Sequence, residues 1–106
     1  MAEQITRKTI LSEAERCVCG DREQVYSSPE DNHAIIAALW EIYIRRSCVD
    51  DDGEVFISPE DIGILMCLLK IARIASGRAK ADNYIDLAGY AACAGEIAMK
   101  EEVLNV

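Results

Sequence analysis

Basic residues are scarce in this chain: 11 Lys and Arg stand against 19 Asp and Glu, for a net charge of −8 at pH 7. Clustered Lys and Arg hold phosphate backbones and a field of this sign repels them, so DNA and RNA are not expected as main partners. Any anionic ligand must meet a local basic site. A long apolar run is missing as well. The longest, Ile62 to Ala75, is too short to span a bilayer and contains Lys70 and Arg73. The opening MAEQITRKTI lacks the apolar core of a signal peptide. Together these features lead us to expect a cytoplasmic protein with no membrane partner. Histidine occurs once, at His33, with no Ser or Cys obviously paired to it, which argues against a hydrolytic triad. The five cysteines (Cys17, Cys19, Cys48, Cys67 and Cys93) are odd in number, and Cys17 and Cys19 are spaced C-x-C instead of C-x-x-C. Reduced thiols are expected, without disulfides or a structural zinc.

What is present is a globular composition, 51% hydrophobic and 28% charged. A chain of 106 residues has room for one core, so a single helical domain over residues 1–106 is expected. No segment alternates convincingly as a strand, although Glu54 to Ile57 could be a short extended piece. Helical spacing dominates. Ile10, Leu11, Ala14, Cys17 and Val18 predict an amphipathic helix from about Ile5 to Val18, ended by Gly20. GDREQVYSS reads as a loop. Ser28 as N-cap, Pro29 at the first helical position, and then Glu30 and Asp31 open a second helix that runs to about Arg46. The same tetrad, Ser58-Pro59-Glu60-Asp61, opens a third helix, which runs to Ala75 and is stopped by Ser76-Gly77. A fourth is predicted from Asp82 to about Glu102. The fold class is therefore all-α, a compact bundle of about four helices. The DDDGE cluster between the second and third helices reads as a solvated loop: in a calcium loop the first ligand would fall on Cys48 and Pro59 displaces the terminal Glu.

Helix three is apolar nearly all round, so it is either central or covered on its second side by another subunit. Helix four is rich in Ala and Gly through AGYAACAGEIA, which lets two helix axes approach closely within the protomer or across a dimer interface. A homo-oligomer through one of these surfaces is expected. Lys70 and Arg73 are the only charges inside helix three, one turn apart on the face that carries Gly63 and Met66. Buried cations need carboxylates or an incoming anion. Asp82 and Asp86 on helix four are the candidate partners, with Asn83 beside the first and Tyr90 a turn further on. Two readings stay open. One is a plain interhelical salt-bridge network. The other is a polar pocket in which Lys70 and Arg73 hold phosphates while Asp82, Asn83, Asp86 and Tyr90 position a metal, ribose or base. A second polar cluster, Asp21, Arg22, Tyr26, Ser27 and Ser28, leads straight to the N-terminus of helix two, where an anion could dock; the competing reading is that Arg22 pairs locally and Tyr26 staples the loop onto the core.

The string DREQVYSSPEDN, which includes Asn32, and then ISPEDIGILMCLLKIARIASG and DNYIDLAGYAA, resemble a family of small proteins from tailed phages and prophages. The resemblance covers about Asp21 to Glu96. That family usually reads Tyr-Gly at Tyr26-Ser27 and an aromatic at His33. More distantly, D-x-x-x-D-x-x-G-Y is similar to the last helix of phage nucleotide-modification-associated proteins and of MazG-like all-α nucleoside triphosphate pyrophosphohydrolases. Those enzymes bind magnesium through paired carboxylates, because a cation bridging a polyphosphate needs several. Asp82 and Asp86 could stand for one such pair, but nothing stands for the E-x-x-E pair. The resemblance thus implies a phage protein of the infected host's cytoplasm that binds a nucleotide or cyclic nucleotide without catalysis and without a cofactor. It would sequester an immune signal of the cyclic oligonucleotide or cyclic ADP-ribose type and so act against host defence. The alternative it implies is a magnesium-dependent pyrophosphohydrolase with Asp82 and Asp86 as metal ligands.

Overall fold

The computed structural model describes residues 4–21, 29–77 and 80–100. Within them lie four α-helices, α1 (Arg7–Arg16), α2 (Pro29–Ser47), α3 (Pro59–Ser76) and α4 (Ala81–Ala98), and no strand longer than a single bridge. None of these helices is long and apolar enough to cross a membrane.

α1 starts two residues later than its apolar spacing predicts, because Thr6 caps it. The Thr6 hydroxyl accepts from Thr9 N at 3.3 Å, and Thr9 Oγ1 accepts in return from Thr6 N at 3.4 Å. The helix passes into a wide π-type turn, Cys17–Asp21, where Gly20 leaves helical geometry at φ −117° and ψ −109°. The predicted amphipathic stripe forms, but every residue from Gln4 to Cys19 is exposed, with Leu11 at 68%. The expected number of helices is present, yet α1 adds no buried residue to the bundle. The packed unit among the described residues is α2, α3 and α4.

α2 carries Glu30 and Asp31 in its first turn and Arg45 and Arg46 in its last, matching the helix dipole at both ends. The segment that follows turns back on itself through one antiparallel bridge, Val49 to Val55, so the extended piece expected at Glu54 to Ile57 is reduced to a bridge. Gly53 takes φ +83°, which favours glycine. Asp50 Oδ1 accepts from the backbone N–H groups of Asp52 and Glu54, both at 2.9 Å. The DDDGE cluster is thus a self-closed turn whose first carboxylate serves its own backbone.

α3 is the central helix. α2 lies on one side, where Trp40 Nε1 donates to the Leu65 carbonyl at 2.7 Å. α4 runs antiparallel on the other, with Gly63 against Ala94 and Tyr90, the Cys67 thiol on the Leu87 carbonyl at 3.6 Å, and Lys70 on Asp86. An apolar helix placed between two neighbours needs apolar residues on both sides, which accounts for its composition. The buried apolar set is small: Cys48, Leu65, Cys67, Ala72 and Ala94. The small residues of α4 divide. Ala94 meets Gly63 so closely that a methyl group built on Gly63 would stand 2.7 Å from the Ala94 Cβ, whereas Gly89 and Gly95 face open space. The close approach expected of α4 is therefore made, in part, within the protomer.

Candidate functional site

Two polar clusters lie on α3, one at each end. At its start, Ser58 caps the helix: its hydroxyl accepts from Asp61 N at 3.3 Å, and Asp61 Oδ2 accepts from Ser58 N at 2.8 Å and from Ser58 Oγ at 2.9 Å. The second oxygen of the same carboxylate accepts from the Tyr43 hydroxyl of α2 at 2.6 Å. Asp61 is buried, and its carboxylate accepts three hydrogen bonds, more than a cap alone requires. The Tyr43 hydroxyl, then Ser58, hold its carboxyl down to about 2, while the same bond, burial and the negative charge push the Tyr43 phenol up to about 12. Burial and the adjacent carboxylate push the Cys48 thiol up. The sequence shows Ser58-Pro59-Glu60-Asp61 as a helix start, but no spacing announces that its aspartate is also the anchor of α2.

At the other end, Lys70 Nζ of α3 meets Asp86 Oδ2 of α4 at 2.8 Å. The pair is lopsided: the Lys70 side chain is 11% exposed and that of Asp86 47%. Asp86 is thus the carboxylate that α4 brings to Lys70, and Asp82, a turn earlier, is exposed. The stripe of α4 turned to α3 is Asn83, Leu87, Tyr90 and Ala94, the residues less exposed than their neighbours. Asn83 is 1% exposed, and its Nδ2 donates to nothing among the described residues. Asn83 and Asp86 are one turn apart on α4, as Lys70 and Arg73 are on α3. The antiparallel register set by Gly63 with Ala94 and Cys67 with Leu87 brings these two turns opposite each other. Arg73 is half-buried there. Asn32, buried at the start of α2, accepts from the Ser76 hydroxyl at 3.0 Å and so ties the end of α3 to α2.

Of the residues picked out by sequence, Lys70, Arg73, Asn83 and Asp86 therefore share one seam, with Tyr90 one turn along it. Asp82 stands outside it. Asn32 lies at the end of α3 with its carbonyl already engaged. In the second predicted cluster, Asp21 closes the π-type turn, its side chain outside the described residues, as are Arg22, Tyr26, Ser27 and Ser28. His33 and Glu41 are exposed on α2, and Glu41 pairs with Arg45 at 2.9 Å. Among the described residues no group of three or more His, Cys, Asp or Glu side chains is placed to hold a metal ion.

The model of a domain of unknown function, DUF6378, matches residues 9–98. The chain is 36% identical to the Gene 55 protein of Mycobacterium phage L5 over 94 residues, which are 89% of this chain and 55% of that protein. It is also 36% identical to the Gene 55 protein of Mycobacterium phage D29 over 90 residues, 85% of this chain and 54% of that protein. The chain spans about half the length of these curated relatives. No solved structure matches it. With residues 9–98 matched, this protein belongs to the DUF6378 family, and it is similar over most of its length to these phage proteins.

Proposed function

We propose that the seam between α3 and α4 binds the phosphate-bearing part of a nucleotide or cyclic nucleotide and releases it unchanged, so that the protein sequesters a nucleotide-derived signal of host defence. One observation carries the binding part of this reading. A fully buried amide donor, Asn83 Nδ2, has no acceptor among the described residues, and it sits a turn from the counter-ion of a buried lysine. A buried unsatisfied donor costs about 1–3 kcal/mol, a cost that an acceptor-rich ligand would remove. The class of ligand and its biological role rest on the resemblance to phage and MazG-like nucleotide proteins. A magnesium enzyme is the weaker reading, since Asp86 is engaged by Lys70 and Asp82 lies exposed. A homo-oligomer belongs to the proposal too: Ile85 and the open face around Gly89 and Gly95 leave the outer side of α4 uncovered.

The test is a panel of nucleoside triphosphates and cyclic oligonucleotides, with and without magnesium, followed by recovery of the nucleotide from the heat-denatured protein. Intact ligand, held equally with a chelator present, is the expected result; magnesium-dependent release of pyrophosphate would replace this reading with the enzyme. Two substitutions separate binding from folding. Replacing Lys70 by Met keeps the stem's packing while removing the charge, and should leave a folded protein that no longer binds. Asn83→Leu should raise stability without ligand by about 1 kcal/mol, because the orphaned donor goes, and should weaken the ligand. A structural asparagine would show the opposite sign in the first measurement.

A further inference from the structure

We infer that the ligand's anionic group enters by exchange: it takes the place of the Asp86 carboxylate on Lys70, so that Asp86 is a built-in competitor and not a ligand-positioning residue. This inference rests on the binding reading above. Its basis is the asymmetry of the pair. Lys70 is held by the packing of α3, with its side chain 11% exposed, whereas the Asp86 side chain is 47% exposed and has water to turn into. A buried ammonium needs an anion beside it at all times, but either of two anions satisfies that need. The half-exposed carboxylate regains water on leaving, which offsets part, but not all, of the contact it gives up. A phosphoryl group can then offer Lys70 one oxygen and turn another toward the Asn83 amide, which a carboxylate anchored on α4 leaves without an acceptor. The chemistry selected is a compact oxyanion with several acceptors, the phosphate or pyrophosphate part of a nucleotide, over a carboxylate or a neutral sugar.

Pyrophosphate at constant ionic strength is the probe, applied to the full chain and to Asp86→Asn. The substitution should lower the melting temperature without pyrophosphate, because Lys70 loses its counter-ion. It should tighten pyrophosphate binding by on the order of tenfold, the worth of one charge-assisted contact no longer contested. Should wild type bind pyrophosphate while Asp86→Asn binds it equally or more weakly, the exchange is wrong and the binding reading stands. If neither binds pyrophosphate nor any nucleotide, both fall. A second measurement needs no variant. In the wild-type protein titrated with pyrophosphate, the Asp86 carboxyl carbon resonance should move to that of a solvated carboxylate as the Lys70 ammonium resonance shifts. A carboxyl resonance that stays put in the saturated protein overturns the exchange.

Discussion

Gly63→Leu is expected to be the most damaging single substitution in the described fold. A methyl group at this position already stands 2.7 Å from the Ala94 Cβ, with the Ala94 Cα and the Tyr90 carbonyl oxygen both at 3.4 Å. None of these neighbours is the end of a flexible side chain, so α3 and α4 must move apart along their whole seam. Overpacking a well-fitted interface costs about 1–3 kcal/mol, and an isobutyl group against two backbones lies at or above the upper end. The seam being spread also contains Cys67 on Leu87 and Lys70 on Asp86. Urea unfolding followed by circular dichroism should show a large drop in midpoint. Gly63→Ala should cost less, because helix propensity returns about 1 kcal/mol against the clash. Gly89→Ala and Gly95→Ala should instead stabilise slightly, as both positions face open space. Equal effects at all three glycines would mean that the seam is not as closely packed as described.

The second large effect is expected at Asp61, and pH gives it a recognisable form. Its carboxyl is held at about 2, below the ordinary 3.8, first by the Tyr43 hydroxyl and then by Ser58. A group with a depressed folded-state value contributes its stability above the unfolded value and loses it as pH falls through the folded one. The melting temperature should therefore fall from about pH 4 toward pH 2. Tyr43, raised from 10.0 to about 12, gives the mirror case: its contribution is intact below pH 10 and is lost as pH rises toward 12. Asp61→Asn should abolish the acid dependence and destabilise at neutral pH by more than Tyr43→Phe, since the carboxylate receives Ser58 as well as Tyr43. Tyr43→Phe should lower the melting temperature by roughly 5 °C and flatten both limbs. An acid limb that survives Asp61→Asn unchanged would assign it to other carboxylates.

Local chemistry made much of this legible beforehand. The Ser58-Pro59-Glu60-Asp61 start and the Ser76-Gly77 stop delimit α3 because capping is decided within four residues, and the all-round apolar composition of α3 suits a helix between two neighbours. Lys70 meeting a carboxylate of α4 follows from the cost of burying a bare charge. The sequence could not choose between Asp82 and Asp86, because that depends on helix rotation: turning Asn83 inward leaves Asp86 at the edge and Asp82 in solvent. Nor could it show that α1, with a good apolar stripe, would bury none of it. Amphipathic spacing says that a face can be covered, while what covers it is a matter of tertiary packing. The Tyr43 and Asp61 pair was hidden for a related reason: 18 residues separate them, and only the crossing of α2 on α3 brings them together.

Trp40 is the only tryptophan in the chain, and its indole N–H is bound to a carbonyl of α3. Intrinsic fluorescence excited at the indole band therefore reports on a single place, the contact of α2 with the central helix. Unfolding of α2 and α3 should change the emission colour as the indole passes into water. Melting or re-forming of α1, which lies wholly in solvent, should leave that signal untouched and show only in the far-ultraviolet dichroism of the backbone. A difference between the two optical transitions would then measure how independently the first helix behaves from the three that pack together.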